Sequence, residues 1–340
     1  MALPSQVGDA TQMLAVLVHT LDPFAIEFSS GFGVRWYGIS YAAGFFLGWL
    51  LLRELARRER IGLTMLQVGD LMTYLIVGVV IGGRVGHVVF YEPHLLITFH
   101  SSLPWWGLLD IHKGGMSSHG GIIGSMVACV LFARRIRLPI LHLFDCVAFA
   151  APLGLCFGRL ANWVNGELWG KPLPESMQAN PPWWSVKYPA EILESNFPLA
   201  KLAPLQSLVN PNEPLPEAVY RAAYLHRSDV LAKLEPLLTA YYPSNFIQAF
   251  TDGPILFLAM AIVWFRPRRP GVIAGVFLVA YGAARMISEQ FRQIDEGVFM
   301  IGLLTLPMLL SLAMIAIGIA LIVWSSRQTI KPMGGLLHRR

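Results

Sequence analysis

The chain has 340 residues, 55% of them hydrophobic and 14% charged, with a formal net charge of +5. Soluble domains carry roughly a quarter charged residues, so this composition, with a mean hydropathy of +0.53, excludes a disordered chain and an ordinary soluble enzyme. It points to helices in lipid, where a basic excess collects in cytoplasmic loops and does not signal nucleic acid.

Residues 1–30 lack a basic start and carry Asp9, Asp22 and Glu27. No cleavable leader is expected, and the first span is expected to do its own targeting. A spanning helix needs about 20 mostly apolar residues. Windows at 34–52, 68–91, 115–132, 140–157, 246–265, 271–288 and 303–324 fit this requirement. The expected fold is an all-α polytopic membrane protein with seven transmembrane helices. Glycines inside the windows, such as Gly82, Gly83, Gly120 and Gly121, favour close helix contact.

Loop charges orient the chain. Arg53, Arg57, Arg58 and Arg60 follow the first window, Arg134, Arg135 and Arg137 the third, and Arg266, Arg268 and Arg269 the fifth. Arg327, Lys331, Arg339 and Arg340 follow the seventh, whereas Asp110, Asp295 and Glu296 mark the alternate side. The positive-inside rule puts the N-terminus outside and the C-terminus in the cytoplasm. The expected division is an outer N-terminal segment at 1–33, helices one to four at 34–170, an outer insertion at 171–242, helices five to seven at 243–325, and a cytoplasmic tail at 326–340. The insertion is Pro-rich at first and compatible with helix at 217–241. A loop this long argues for work at the outer membrane boundary.

Charges inside a membrane are costly and tend to be functional. This orientation collects polar groups at the outer ends of five spans. They are Arg35 and Tyr37; Arg84, His87 and Tyr91; Ser117, Ser118 and His119; Arg159, Asn162, Asn165 and Glu167; and Tyr281, Arg285, Glu289 and Arg292. Tyr281, Arg285 and Glu289 fall four apart, on one helix face, and Arg159 and Asn162 share another if their helix persists. Glu167 and Glu289 are candidate counter-charges for the two arginines, which would make the cluster a structural salt-bridge lock. A lipid phosphate is the other candidate, because guanidinium groups match phosphate oxygens in pairs. His119 and His87 are the histidines at this depth able to take a proton near pH 7.

Other chemistries lack their patterns. Cys129, Cys146 and Cys156 sit in apolar runs without zinc spacing, and His112 and His119 lack a partner carboxylate pair, so no metal or soluble cofactor is expected. No phosphate-binding loop, dinucleotide fingerprint or serine-hydrolase elbow is present.

The run Gly158, Arg159, Leu160, Ala161, Asn162, Trp163, Val164, Asn165, Gly166, Glu167, Leu168, Trp169, Gly170 resembles the signature of the bacterial prolipoprotein diacylglyceryl transferase family. Arg35 to Gly38, Gly82 to Gly86, Gly114 to Gly121, and Tyr281 to Arg285 with Glu289, Phe291 and Arg292 resemble other blocks of that family, in its order. The resemblance implies an enzyme of the inner membrane whose site opens to the periplasm. Such an enzyme moves the diacylglyceryl group of phosphatidylglycerol to the lipobox cysteine of a preprolipoprotein and releases glycerol phosphate. It implies lipid binding by Arg159, with Tyr37, Asn162, Tyr281 and Gly170 contributing, and catalytic parts for Arg285, His119, Glu167 and Glu289. The general base is either His119 or, without one, the arginine field alone acting on the thiol. Where many members have His-Pro-Ser-Gln-Leu-Tyr-Glu, this chain has Tyr242, Pro243, Ser244, Asn245, Phe246, Ile247 and Gln248. The competing readings are a transporter or flippase for an anionic lipid or solute, and a binding scaffold without turnover.

Overall fold

The computed structural model describes residues 16–29, 32–110, 114–293, 300–302 and 304–337. Asp9, His112, Asp295, Glu296, Arg339 and Arg340, used in the sequence reading, lie outside the described residues. In chain order the helices are α1 (Trp36–Arg57), α2 (Met65–Phe90), α3 (Ser118–Ile136), α4 (Ile140–Val164), α5 (Glu175–Gln178), α6 (Leu215–Tyr224), α7 (Ser228–Leu234), α8 (Ser244–Phe250), α9 (Leu256–Val263), α10 (Val272–Ser288) and α11 (Leu306–Arg327). The strands are β1 (Leu17–Val18), β2 (Phe24–Ser29), β3 (Phe32–Arg35), β4 (Val186–Lys187), β5 (Ala240–Tyr241), β6 (Met300–Ile301) and β7 (Leu304–Thr305).

Six helical stretches among the described residues are long and apolar enough to cross a membrane: α1, α2, α3, α4, the joined α8–α9 stretch Ser244–Val263, and α11. The sequence windows predict seven. The helix at the sixth window, α10, has 17 residues, about 26 Å at the α-helical rise and short of a roughly 30 Å hydrocarbon core. Its start is fixed by Asp145 of α4, whose carboxylate accepts the backbone N–H groups of Gly271 and Ala274, each at 2.8 Å. That carboxylate caps the otherwise unpaired donors of the helix N-terminus.

The chain divides into two compact units. The first comprises Met1–Ser40, Gly158–Ala249 and Met286–Leu306; the second comprises Tyr41–Phe157, Phe250–Arg285 and Pro307–Arg340.

In the second unit α2 begins with a reciprocal cap between Thr64 and Gln67. Gly78, Gly82 and Gly86, four residues apart, then face Gly120 and Gly124 of α3. A Cβ on Gly86 would lie 2.7 Å from the Cα of Gly120, and one on Gly82 2.7 Å from the Cα of Gly124. Only glycine permits this approach, and in lipid such packing replaces the missing hydrophobic drive. The unit's core joins Leu52, Val68, Phe132, Phe149, Met260 and Trp264.

In the first unit β4 pairs with β1 in parallel and with β5 in antiparallel fashion. The β2–β3 hairpin leads straight into Trp36, the first residue of α1. The segment 171–242 has a core of its own, including Ile192, Leu202, Leu205, Val219, Val230 and Leu234. Truncating Ile192 or any of these leucines to Ala costs about 2–5 kcal/mol. The helix-compatible stretch at 217–241 is two short helices, α6 and α7. The chain breaks between them at His226, which has a φ of 55°.

Candidate functional site

The signature run occupies the end of α4 and the turn beyond it. The apolar window at 140–157 stops before Arg159, but the helix persists to Val164, so Arg159 and Asn162 lie one turn apart. The helix then closes on Gly166, whose φ of +66° suits glycine. The Gly166 N–H bonds to the Trp163 carbonyl at 2.9 Å, and the Glu167 N–H to the Asn162 carbonyl at 3.0 Å. This is the Schellman arrangement, which folds the second residue past the helix back over its last turn. It explains why Glu167 meets Asn162.

Side chains complete the contact. Asn165 Nδ2 donates to Glu167 Oε1 at 3.0 Å, and Asn162 Nδ2 reaches Glu167 Oε2 at 3.3 Å. The Tyr37 hydroxyl, from the first turn of α1, donates to the same oxygen at 3.2 Å and accepts from Asn162 Nδ2. One exposed carboxylate thus gathers Tyr37, Asn162 and Asn165. Arg159 is half-buried on the turn before them.

The turn is held from below. Asn245 Nδ2 donates to the Glu167 carbonyl at 2.8 Å, and Ser244 Oγ to the Leu168 carbonyl at 2.8 Å. Both side chains are buried, Asn245 to 1% exposure. They belong to the run 242–248 that departs from the family pattern, so this run, as written here, grips the signature turn. The sequence reading places neither residue at the site, because their partners are backbone carbonyls far away in the chain.

Gly170 lies in extended backbone between two neighbours. It forms a bridge with Arg292, Lys171 N–H bonds to the Phe291 carbonyl at 2.9 Å, and Tyr242 N–H to the Lys171 carbonyl at 3.0 Å. A Cβ on Gly170 would lie 2.8 Å from the Tyr242 carbonyl carbon. The close approach at Gly170 is therefore to the chain's own backbone. Glu289 follows the end of α10 in a turn; it is buried, with Oε1 3.8 Å from Arg292 Nη1. The helix face expected to run from Tyr281 through Arg285 to Glu289 ends before its last member.

Tyr281, Arg285 and His119 belong to the second unit. Tyr281 stacks on Phe277 with centroids 5.6 Å apart, and Arg285 lies in the last turn of α10. His119 is exposed in the first turn of α3, whose cap is Ser117. The Ser117 N–H bonds to the Gly83 carbonyl at 2.9 Å, which fixes that helix end on α2. Arg84 has a different environment. Only 5% exposed, it donates to the carbonyls of Gly107, Leu108, Gly114 and Gly115 at 2.7, 2.8, 3.0 and 3.2 Å. Among the described residues no group of three or more His, Cys, Asp or Glu could hold a metal ion.

Residues 23–324 match the family model described as prolipoprotein diacylglyceryl transferase. A protein of Bdellovibrio bacteriovorus named phosphatidylglycerol–prolipoprotein diacylglyceryl transferase is 38% identical, over 94% of this chain and 97% of its own length. Proteins of the same name from Nitrobacter winogradskyi and Bradyrhizobium diazoefficiens are 32% and 33% identical, over 92% and 90% of this chain and 91% and 92% of their own lengths.

Proposed function

We infer the chemistry from one premise: the chain belongs to the prolipoprotein diacylglyceryl transferase family. It is a transferase of the membrane that moves the diacylglyceryl group of phosphatidylglycerol to a prolipoprotein. Neither the relatives nor the arrangement of residues favours a transporter.

The acceptor is the lipobox cysteine. The protein lies in the bacterial inner membrane with seven crossings, α10 included, its N-terminus and its reaction on the periplasmic side. The observation that carries the residue roles is the clasp of Tyr37, Asn162 and Asn165 on the Glu167 carboxylate.

Arg159 binds the lipid phosphate and stabilises the charge that grows on the departing glycerol phosphate; in a dry site fixed charges act without reorganising. Glu167 holds Tyr37 and Asn162 in register for the headgroup. Gly170 keeps the backbone slim beside them. The likeness of their blocks to those of the family supports Arg285 as a second guanidinium for phosphate, Tyr281 as a headgroup donor and His119 as the base; Glu289 orients by charge. A cysteine thiol, ordinarily near pKa 8.5, gives its proton to His119. The thiolate attacks the glycerol carbon that bears the phosphoester, the carbon–sulfur bond forms, the carbon–oxygen bond breaks, and glycerol phosphate leaves.

The test is purified protein in detergent with phosphatidylglycerol and a lipobox peptide, read by mass spectrometry. The expected result is a diacylglyceryl adduct on cysteine with glycerol phosphate released. Saturable lipid binding without an adduct would return the weight to a scaffold or transporter. For the base, the variant His119→Asn should lose rate and alter the pH–rate profile; an unchanged rate and profile would remove His119 from that role.

A further inference from the structure

The signature turn has a third support, which lies upstream of the family match at 23–324. His19 follows β1, is 1% exposed, and is anchored by its own N–H to the Lys187 carbonyl of β4 at 2.8 Å. Its Nε2 lies 2.6 Å from the Trp163 carbonyl. A carbonyl only accepts, so this nitrogen carries the proton and donates. The same carbonyl takes the Gly166 N–H of the Schellman closure. The imidazole is packed between Tyr188, at 5.4 Å, and the edge of Trp163, at 5.8 Å. It also fills the space that glycine leaves at 166, where a Cβ would lie 3.1 Å from His19 Cε1 and 3.3 Å from Nδ1.

We propose that His19 is a positioning residue for the transfer reaction: its Nε2–H and its ring lock the Gly166 closure, and the closure sets Glu167 against Asn162 and Asn165. Helix termini leave carbonyls unpaired, and side chains that fill that role fix the chain direction beyond the helix. Here the direction beyond α4 decides where the Glu167 carboxylate stands. An acceptor at the ring position would repel the Trp163 carbonyl, whereas a glutamine amide offers a donor at nearly the same reach as Nε2. The proposal rests on the transferase reading for its consequence and on the turn geometry for its cause, and each has its own readout.

The experiment compares wild type with His19→Ala and His19→Gln in the phosphatidylglycerol and lipobox-peptide assay, and follows amide hydrogen exchange across residues 163–169 in the same preparations. Displacing catalytic groups by about 1 Å can cost a hundredfold. His19→Ala is expected to lower kcat by roughly tenfold with KM for phosphatidylglycerol within about twofold, and to speed exchange in the turn. His19→Gln is expected to restore most of both. If His19→Ala fails to accumulate, Gly166→Ala, which crowds the imidazole from the other side, should give the same kcat loss. Wild-type kcat and wild-type exchange in His19→Ala would overturn the proposal, as would a glutamine variant no better than alanine at equal thermal stability. An inactive wild type with the expected exchange pattern would overturn the transferase reading and leave the His19 lock standing.

Discussion

Arg84 and the signature turn start from the same kind of sequence: polar residues set among glycines near the end of an apolar helix. Their environments differ. The Arg84 guanidinium is buried, and four backbone carbonyls take its donors. It fastens the backbone at Gly107, Leu108, Gly114 and Gly115 to α2, and its charge faces the chain's own backbone. The signature turn joins side chain to side chain, with an exposed carboxylate at its centre. A polar group saturated by backbone is scaffold; one that meets other side chains at an accessible surface is placed to meet a ligand. The lesson is that cost of burial alone does not mark function in a membrane helix. The identity of the partner does.

Substitutions break this comparison most sharply at its two arginines. Arg159→Ala should abolish adduct formation, a fall of about a hundredfold or more, while the protein still inserts and unfolds at its normal temperature. Near-normal turnover would remove the phosphate role. Arg84→Ala should act on stability instead, since leaving buried carbonyls without their donor costs about 1–3 kcal/mol. Thermal unfolding in detergent checks it, and an unchanged midpoint would mean that Gly107, Leu108, Gly114 and Gly115 are held by other contacts.

A middle case sharpens the contrast. Asn245→Ala leaves the Glu167 carbonyl without its buried donor, at about 1–3 kcal/mol, and should lower both the unfolding midpoint and the rate; Arg84→Ala should lower the midpoint alone. Asn245→Gln, which brings in the residue many family members carry, should lose less of each. The smallest effect is one of pH. Burial holds the His19 imidazole below its ordinary pKa of 6.5. A histidine depressed in the fold contributes its full stability above pH 6.5 and loses it as pH falls toward the folded value. The unfolding midpoint should therefore drop between pH 7.5 and 5, and His19→Gln should flatten part of that drop.

Sequence made the membrane helices legible, because hydropathy is local. The window at 140–157 ended early for the same reason: Arg159 and Asn162 interrupt the apolar run, while the backbone of α4 continues to a glycine closure. The α10 window included Gly271, whose N–H belongs to Asp145, a partner no local pattern announces. Tyr37, Asn162 and Glu167 could be gathered from motifs as one polar set. Ser244 and Asn245 could not, since their partners are carbonyls 76 and 78 residues away. The core of the 171–242 segment was hidden too. Its prolines and short helical turns carry no single period, though Leu202 and Leu205 are fully buried.

The first unit is stitched from three separated stretches of chain, and this has a consequence for biosynthesis. His19 waits for a partner 144 residues downstream, and Tyr37 for one 130 residues downstream. At roughly 5–20 residues per second on the ribosome, these early residues stand unmated for several seconds or more while four membrane helices enter the bilayer. Gly170 then waits for the strand that brings Arg292. A nascent chain stalled before that point would hold most of its membrane helices and lack the finished surroundings of the signature turn, which are completed late, near the end of translation.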